Sequence, residues 1–134
     1  MSQIQVVNQA EEHFLDLILA VNYTLRLFKN NVSPGDTLTE GDFTEADFTG
    51  YSANAMTGGA WVTTPGDPCT GAYAKQSFTS SADQAAQVIY GYYVTRTSDG
   101  ALEWFEKFDA SVTVQYNGDQ IDVTPQITLA DEGD

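Results

Sequence analysis

Cations are scarce in this chain: Lys and Arg total 5 against 19 Asp and Glu in 134 residues, a formal net charge of −14. Binding to nucleic acid or anionic lipid rests on clustered Lys and Arg that neutralise phosphates, so DNA, RNA and membranes are poor partners. Histidine and cysteine are scarcer still, one each, at His13 and Cys69. A thiol nucleophile needs a neighbouring base, and a structural zinc site takes four N or S ligands; neither set is present. A lone cysteine also excludes an internal disulfide, which leaves Cys69 as a small loop residue and His13 as a partly exposed helix residue. No apolar run approaches the roughly 20 residues of a membrane-spanning helix, and Met1 to Gln5 lacks the basic start of a secretory signal. No Gly-rich phosphate loop or nucleophile elbow occurs. The expectation is therefore no catalytic set, no cofactor and no metal.

What is present reads as one short helix followed by strands. Asn8 with Glu11 three places on resembles a capping box, and Ala10, Phe14, Leu17 and Ile18 recur at the spacing of one helical face. These predict a helix over Gln9–Ala20. From Val21 onward the period changes to two, and strands are expected at Tyr23–Phe28, Trp61–Thr64, Ala72–Phe78, Gln87–Arg96, Ala101–Phe108, Val112–Tyr116 and Gln120–Leu129. Ser98-Asp99-Gly100 and Asn117-Gly118-Asp119 are hairpin turns, because Asp-Gly and Asn-Gly accept positive φ. Pro125 cannot donate to a ladder, so the last strand bends there or lies at an edge. The fold class is mainly β: an antiparallel sandwich, jelly-roll-like, or a barrel, preceded by one N-terminal helix. At this length one compact domain is expected, with residues 1–22 as arm and helix and 23–134 as the antiparallel β domain.

The stretch Asn30–Gly59 is irregular and acidic. Asp36, Gly41 and Asp47 fall at the first, sixth and twelfth places of a calcium-loop frame, but Leu38 takes the third, where a ligand belongs. A solvated loop or a short helical turn around Thr44–Phe48, pinned by Phe43, Phe48 and Tyr51, is expected instead. Glu103 and Glu106 raise the question of a glycosidase, which needs two carboxyls flanking a sugar. Three residues apart on a strand they point to opposite faces, and they read as surface carboxylates beside buried aromatics. The rings of Tyr90, Tyr92, Tyr93, Trp104 and Phe105 offer either a core or a flat platform for a sugar or protein partner.

Three segments carry a resemblance: Leu25-Arg26-Leu27-Phe28-Lys29-Asn30-Asn31-Val32, Asp42-Phe43-Thr44-Glu45-Ala46-Asp47-Phe48-Thr49-Gly50-Tyr51, and Tyr90-Gly91-Tyr92-Tyr93-Val94-Thr95. With the helix around Phe14-Leu15-Asp16-Leu17-Ile18-Leu19 they resemble small virion-associated proteins of tailed bacteriophages, over most of the chain. That resemblance implies a structural subunit rather than an enzyme, made in the host cytoplasm and located in the virion. The first expectation is a capsid decoration, or cement, protein that binds the major capsid protein or another virion protein from outside, as a homo-oligomer on the particle. The alternative is a tail or fibre module recognising host carbohydrate. Expected partner-binding residues are Gln3, Ile4, Val6 and Val7 in the arm, and the rings of Tyr73, Tyr92 and Trp104.

Overall fold

Alternating apolar and polar residues after residue 22 are realised as antiparallel strands. The computed structural model describes residues 2–129; Met1, the first residue of the expected arm, and residues 130–134, the end of the expected β domain, lie outside them. Strand takes 41% of the chain and helix 11%, against roughly 20–25% strand in an average domain, so the chain is mainly β. In chain order the elements are α1 (Asn8–Ile18), β1 (Tyr23–Phe28), β2 (Asn54–Met56), β3 (Val62–Thr64), β4 (Cys69–Ala72), β5 (Gln76–Thr79), β6 (Gln87–Arg96), β7 (Leu102–Val114), β8 (Gln120–Val123) and β9 (Gln126–Leu129). They form antiparallel sheets ordered β2-β1-β6-β7, β3-β4-β9 and β5-β8. The fold is sandwich-like, and no sheet closes into a barrel among the described residues.

Contacts gather into two units. One holds the described residues up to Val21, Thr57–Lys75 and those from Thr124 on; the other holds Asn22–Met56 and Gln76–Val123. In the first, α1 packs on β3 and β4. Gly71 makes that approach possible, since a Cβ there would stand 2.5 Å from Leu19 Cδ1 and 3.5 Å from Leu15 Cδ2. Helix α1 begins after Val7, with no side-chain cap, so the expected capping box is not formed. Cys69 is not a loop residue: it opens β4, buried, opposite Leu129.

The second unit is built on the β1–β6 ladder. Phe28 lies directly on Gly91, where any Cβ would run into its ring and into the Glu106 carbonyl. Phe28, Val32, Phe43 and Tyr93 form a core, with Leu38, Leu102 and Phe105 packed against it. Phe43 stacks on Tyr93 at 4.7 Å and meets Phe28 edge-on at 5.0 Å. Burying each such ring stabilises the fold by about 1.5–3 kcal/mol. The acidic segment is not simply solvated. It runs along the outer edge of β1, with Lys29 N donating to Thr44 O at 2.8 Å, Ala46 N to Leu27 O at 2.9 Å, and a bridge between Phe28 and Glu45. The helical turn expected at Thr44–Phe48 is absent there; a 3-10 turn stands at Glu40–Asp42 instead, closed by Thr39 N donating to Asp42 Oδ2 at 2.8 Å. Phe43 and Phe48 are buried and Tyr51 half-buried, as expected of anchors.

Several strand boundaries also differ. Ala101–Phe108 and Val112–Tyr116 are one continuous strand, β7, because the ladder slips between Ile89 and Gly91 and leaves Phe108 to Ser111 opposite Tyr90. Ala72–Phe78 is divided between β4 and β5, and the stretch ending at Leu129 breaks at Pro125 into β8 and β9. Gly100 and Gly118 take φ of +77° and +92° at the two expected turns.

Candidate functional site

In the first unit, residues 2–7 precede α1 without regular structure. Gln3, Ile4 and Val7 are exposed, Ile4 by 87%, and Val6 is half-buried. The helix that follows carries two apolar stripes. Leu15 and Leu19, one turn apart, face the sheet together with Glu11; Phe14 and Leu17 are 48% and 59% exposed. The apolar face picked out by the spacing of Ala10, Phe14, Leu17 and Ile18 is therefore largely the one in solvent. The physical reason is capacity: a three-stranded sheet with Gly71 at the contact accepts one stripe, and periodicity does not say which. Glu11 is only 2% exposed, and its Oε2 has no hydrogen-bond partner. The Cys69 thiol is pushed up by burial and then by the carboxylates of Glu12, Glu11 and Asp16, which keeps it from the reactive thiolate form. Tyr73 is half-buried: its ring lies 5.2 Å from Trp61, and its hydroxyl accepts from Thr57 N at 3.0 Å. It serves packing at least as much as any partner.

In the second unit Tyr92 is 1% exposed and faces the core, so it cannot meet a partner. Trp104 is half-buried, edge-on to Tyr23 at 5.3 Å. It forms one wall of an open cleft of about 390 Å³ along β7, with Glu103, Leu102 and Phe105 beside it and Gly35, Asp36 and Leu38 across from it. Glu103 sits at a bulge, where pairing steps from Val94 with Trp104 to Thr95 with Leu102, and bulges re-aim a side chain out of the regular alternation. Its carboxylate lies 3.4 Å from Arg96, whose guanidinium also grips Asp99 through two bonds of 3.0 and 2.7 Å. Glu106 stands opposite Tyr92 on the regular ladder. A flat apolar ring face with carboxylates at its rim suits a hydroxylated ring ligand. Asp36 reaches the cleft only through long-range folding of the acidic segment, and nothing local in the sequence signals it.

The cations are committed to structure. Arg26 donates to Glu45 at 2.9 Å, Lys29 to Asp47 at 2.8 Å, and Lys107 to Asn31 Oδ1 at 2.6 Å. The Asp47 carboxyl is held below its ordinary range by Lys29 and Gln87, and that of Asp119 by the backbone N–H groups of Tyr116 and Gln115. Asp36, Asp42 and Asp47, the acids nearest the calcium-loop frame, are thus a cleft wall, a turn closure and an ion-pair partner. Among the described residues there is no group of three or more His, Cys, Asp or Glu placed to hold a metal ion, and no helix is long and apolar enough to cross a membrane. Comparison with protein-family models, curated proteins and solved structures gave no match.

Proposed function

We propose that this chain is a structural protein of a tailed-phage virion, most specifically a decoration protein that seats on the outside of the assembled capsid shell and stabilises it. The observation that carries the reading is the outward apolar segment of a strongly acidic chain: Ile4 and Val7 stand in solvent just ahead of α1. An exposed, unstructured segment gains order when it docks on a partner. The acidic surface suits a position away from packaged DNA, whose phosphates it repels. Stabilisation follows from mass action: a ligand that binds only the assembled shell favours it by RT ln(1 + [L]/Kd). Apolar contacts of the arm set the dissociation rate, while the carboxylates tune approach to the major capsid protein.

The test is occupancy on purified particles. Removing residues 2–7 from the full chain is expected to reduce occupancy at least tenfold while the far-ultraviolet circular dichroism stays that of the intact protein. Undiminished occupancy by the shortened protein would overturn the docking arm.

A second reading is favoured by the Trp104 cleft, a tail or fibre module that stacks a host sugar on the indole. Saturable quenching of tryptophan fluorescence by host surface glycan, abolished in Trp104→Ala, is the result that would prefer it over the first.

A further inference from the structure

We infer that the cleft beside Trp104 takes a basic side chain, arginine before lysine, carried on an extended segment of a partner protein that adds to the edge of β7. β7 ends its sheet, and no described strand pairs with its outer side. An edge of this kind presents unpaired N–H and C=O groups to an extended chain that reaches it. Two register slips bound the usable length: between them the ladder is regular from Trp104 to Lys107, opposite Val94 to Gly91. The cleft of about 390 Å³ opens where this stretch begins, with Leu102 to Phe105 on one side and Gly35, Asp36 and Leu38 on the other. Trp104 and Phe105 are neighbours on the regular ladder and so point to opposite faces, yet both line the cleft. The cleft therefore follows the strand edge and not one face of the sheet, which favours an added strand over a sugar laid flat on the indole.

Charge selects the occupant. Asp36 is exposed, and its carboxylate has no hydrogen bond or ion pair among the described residues. Glu103 keeps acceptor capacity, since its ion pair with Arg96 is 3.4 Å long and that guanidinium makes its two short bonds, 3.0 and 2.7 Å, to Asp99. A carboxylate offers about four lone-pair sites. Farther along the edge strand Glu106 and Asp109 are exposed as well, while Lys107 is turned onto Asn31 Oδ1 at 2.6 Å. A second copy, of net charge −14, is repelled from such an edge, and edge charges are a usual guard against self-pairing. A basic segment is attracted instead. Arginine fits better than lysine, because its planar guanidinium bonds a carboxylate through two N–H groups and stacks on an aromatic ring. This deepens the shell-binding reading and rests on it for where the partner resides: the strand edge is a second foothold besides the arm.

Calorimetric titration of the full chain, without particles, with the peptide acetyl-Thr-Val-Arg-Val-Thr-amide is the test. Saturable binding that weakens as salt rises is expected, because salt screens opposite charges. Replacing the peptide's arginine by glutamine, or N-methylating its alternate residues, should abolish the binding. Asp36→Asn, at an exposed carboxylate, should weaken it by about threefold, and Trp104→Leu by about tenfold. Asp67→Asn, the same change of charge at an exposed acid of the other unit, should leave it unchanged. No binding, binding indifferent to Asp36→Asn, or equal binding of the N-methylated peptide would overturn the proposal. So would displacement of the peptide by a neutral host glycan, which gives the cleft to the sugar reading. With particles absent, peptide binding can stand where the shell reading fails, and arm-dependent occupancy can stand where peptide binding fails.

Discussion

The Arg26 guanidinium donates to the Glu45 carboxylate at 2.9 Å, and this pair ties the acidic segment to β1. The second Glu45 oxygen accepts from the Tyr51 hydroxyl at 2.7 Å, which itself accepts from Leu27 N at 3.1 Å. The ion pair is about a third exposed, so water screens it and its own contribution is small. Removing the hydroxyl has a larger effect, because it strips partners from half-buried groups. Tyr51→Phe is expected to cost about 1–2 kcal/mol, read as a lower urea midpoint at constant slope. An unchanged midpoint would show that the network carries no stability.

Gly91 is expected to tolerate no side chain. A methyl there would press on the Glu106 carbonyl and the Phe28 ring, and neither gives way without moving β7 or the core. Gly91→Ala should destabilise the protein by about 3 kcal/mol or more, seen as a loss of more than about 6 °C in Tm. Gly118→Ala strains only a surface turn and should cost less.

Alkaline stability should fall in a defined window. Burial, and then the Glu45 charge, push the Tyr93 hydroxyl up to about 12; burial also raises Tyr51 and Tyr23. A folded-state value above the unfolded one of about 10 means that the native state holds protons the unfolded chain releases. The resulting stability is complete below about pH 10 and is lost as pH rises toward 12. Tyrosinate absorbance should therefore rise together with unfolding. A simple titration centred near 10 on an intact fold would contradict this.

At the acid end the sign reverses. Asp47, Asp99 and Asp119 are held below their ordinary range, by Lys29, by Arg96 and by backbone N–H groups respectively. Their contribution is present above about pH 4, the unfolded value, and is lost as pH falls through the lower folded values. The fold should thus outlast the isoelectric point of about 4.1. Particles brought to that pH should release the protein with its circular dichroism unchanged, if the seat on the shell is matched by charge.

Binding to DNA should be undetectable at moderate salt. Arg26, Lys29 and Arg96 already lie on carboxylates, so few cations are left to displace counterions. Tight, salt-sensitive binding in an anisotropy assay would sink the exterior reading.

The local sequence was enough for what depends on backbone preference. β6 spans the expected Gln87–Arg96, the two Gly turns take positive φ, and Pro125 ends one strand and separates it from the next. Each follows from steric limits that act within a few residues. The mainly antiparallel class follows as well, from a period of two repeated along most of the chain. Tertiary structure alone decided which side of each element is covered. Helix α1 carries two apolar stripes, and only the presence of β4 with Gly71 selects Leu15 and Leu19 over Phe14 and Leu17. Likewise Tyr92 and Trp104 are both strand aromatics, yet one is enclosed and the other borders a cleft, because β6 lies inside its sheet and β7 at the edge. Burial is a property of the partner surface, and that surface is assembled from segments far apart in the chain.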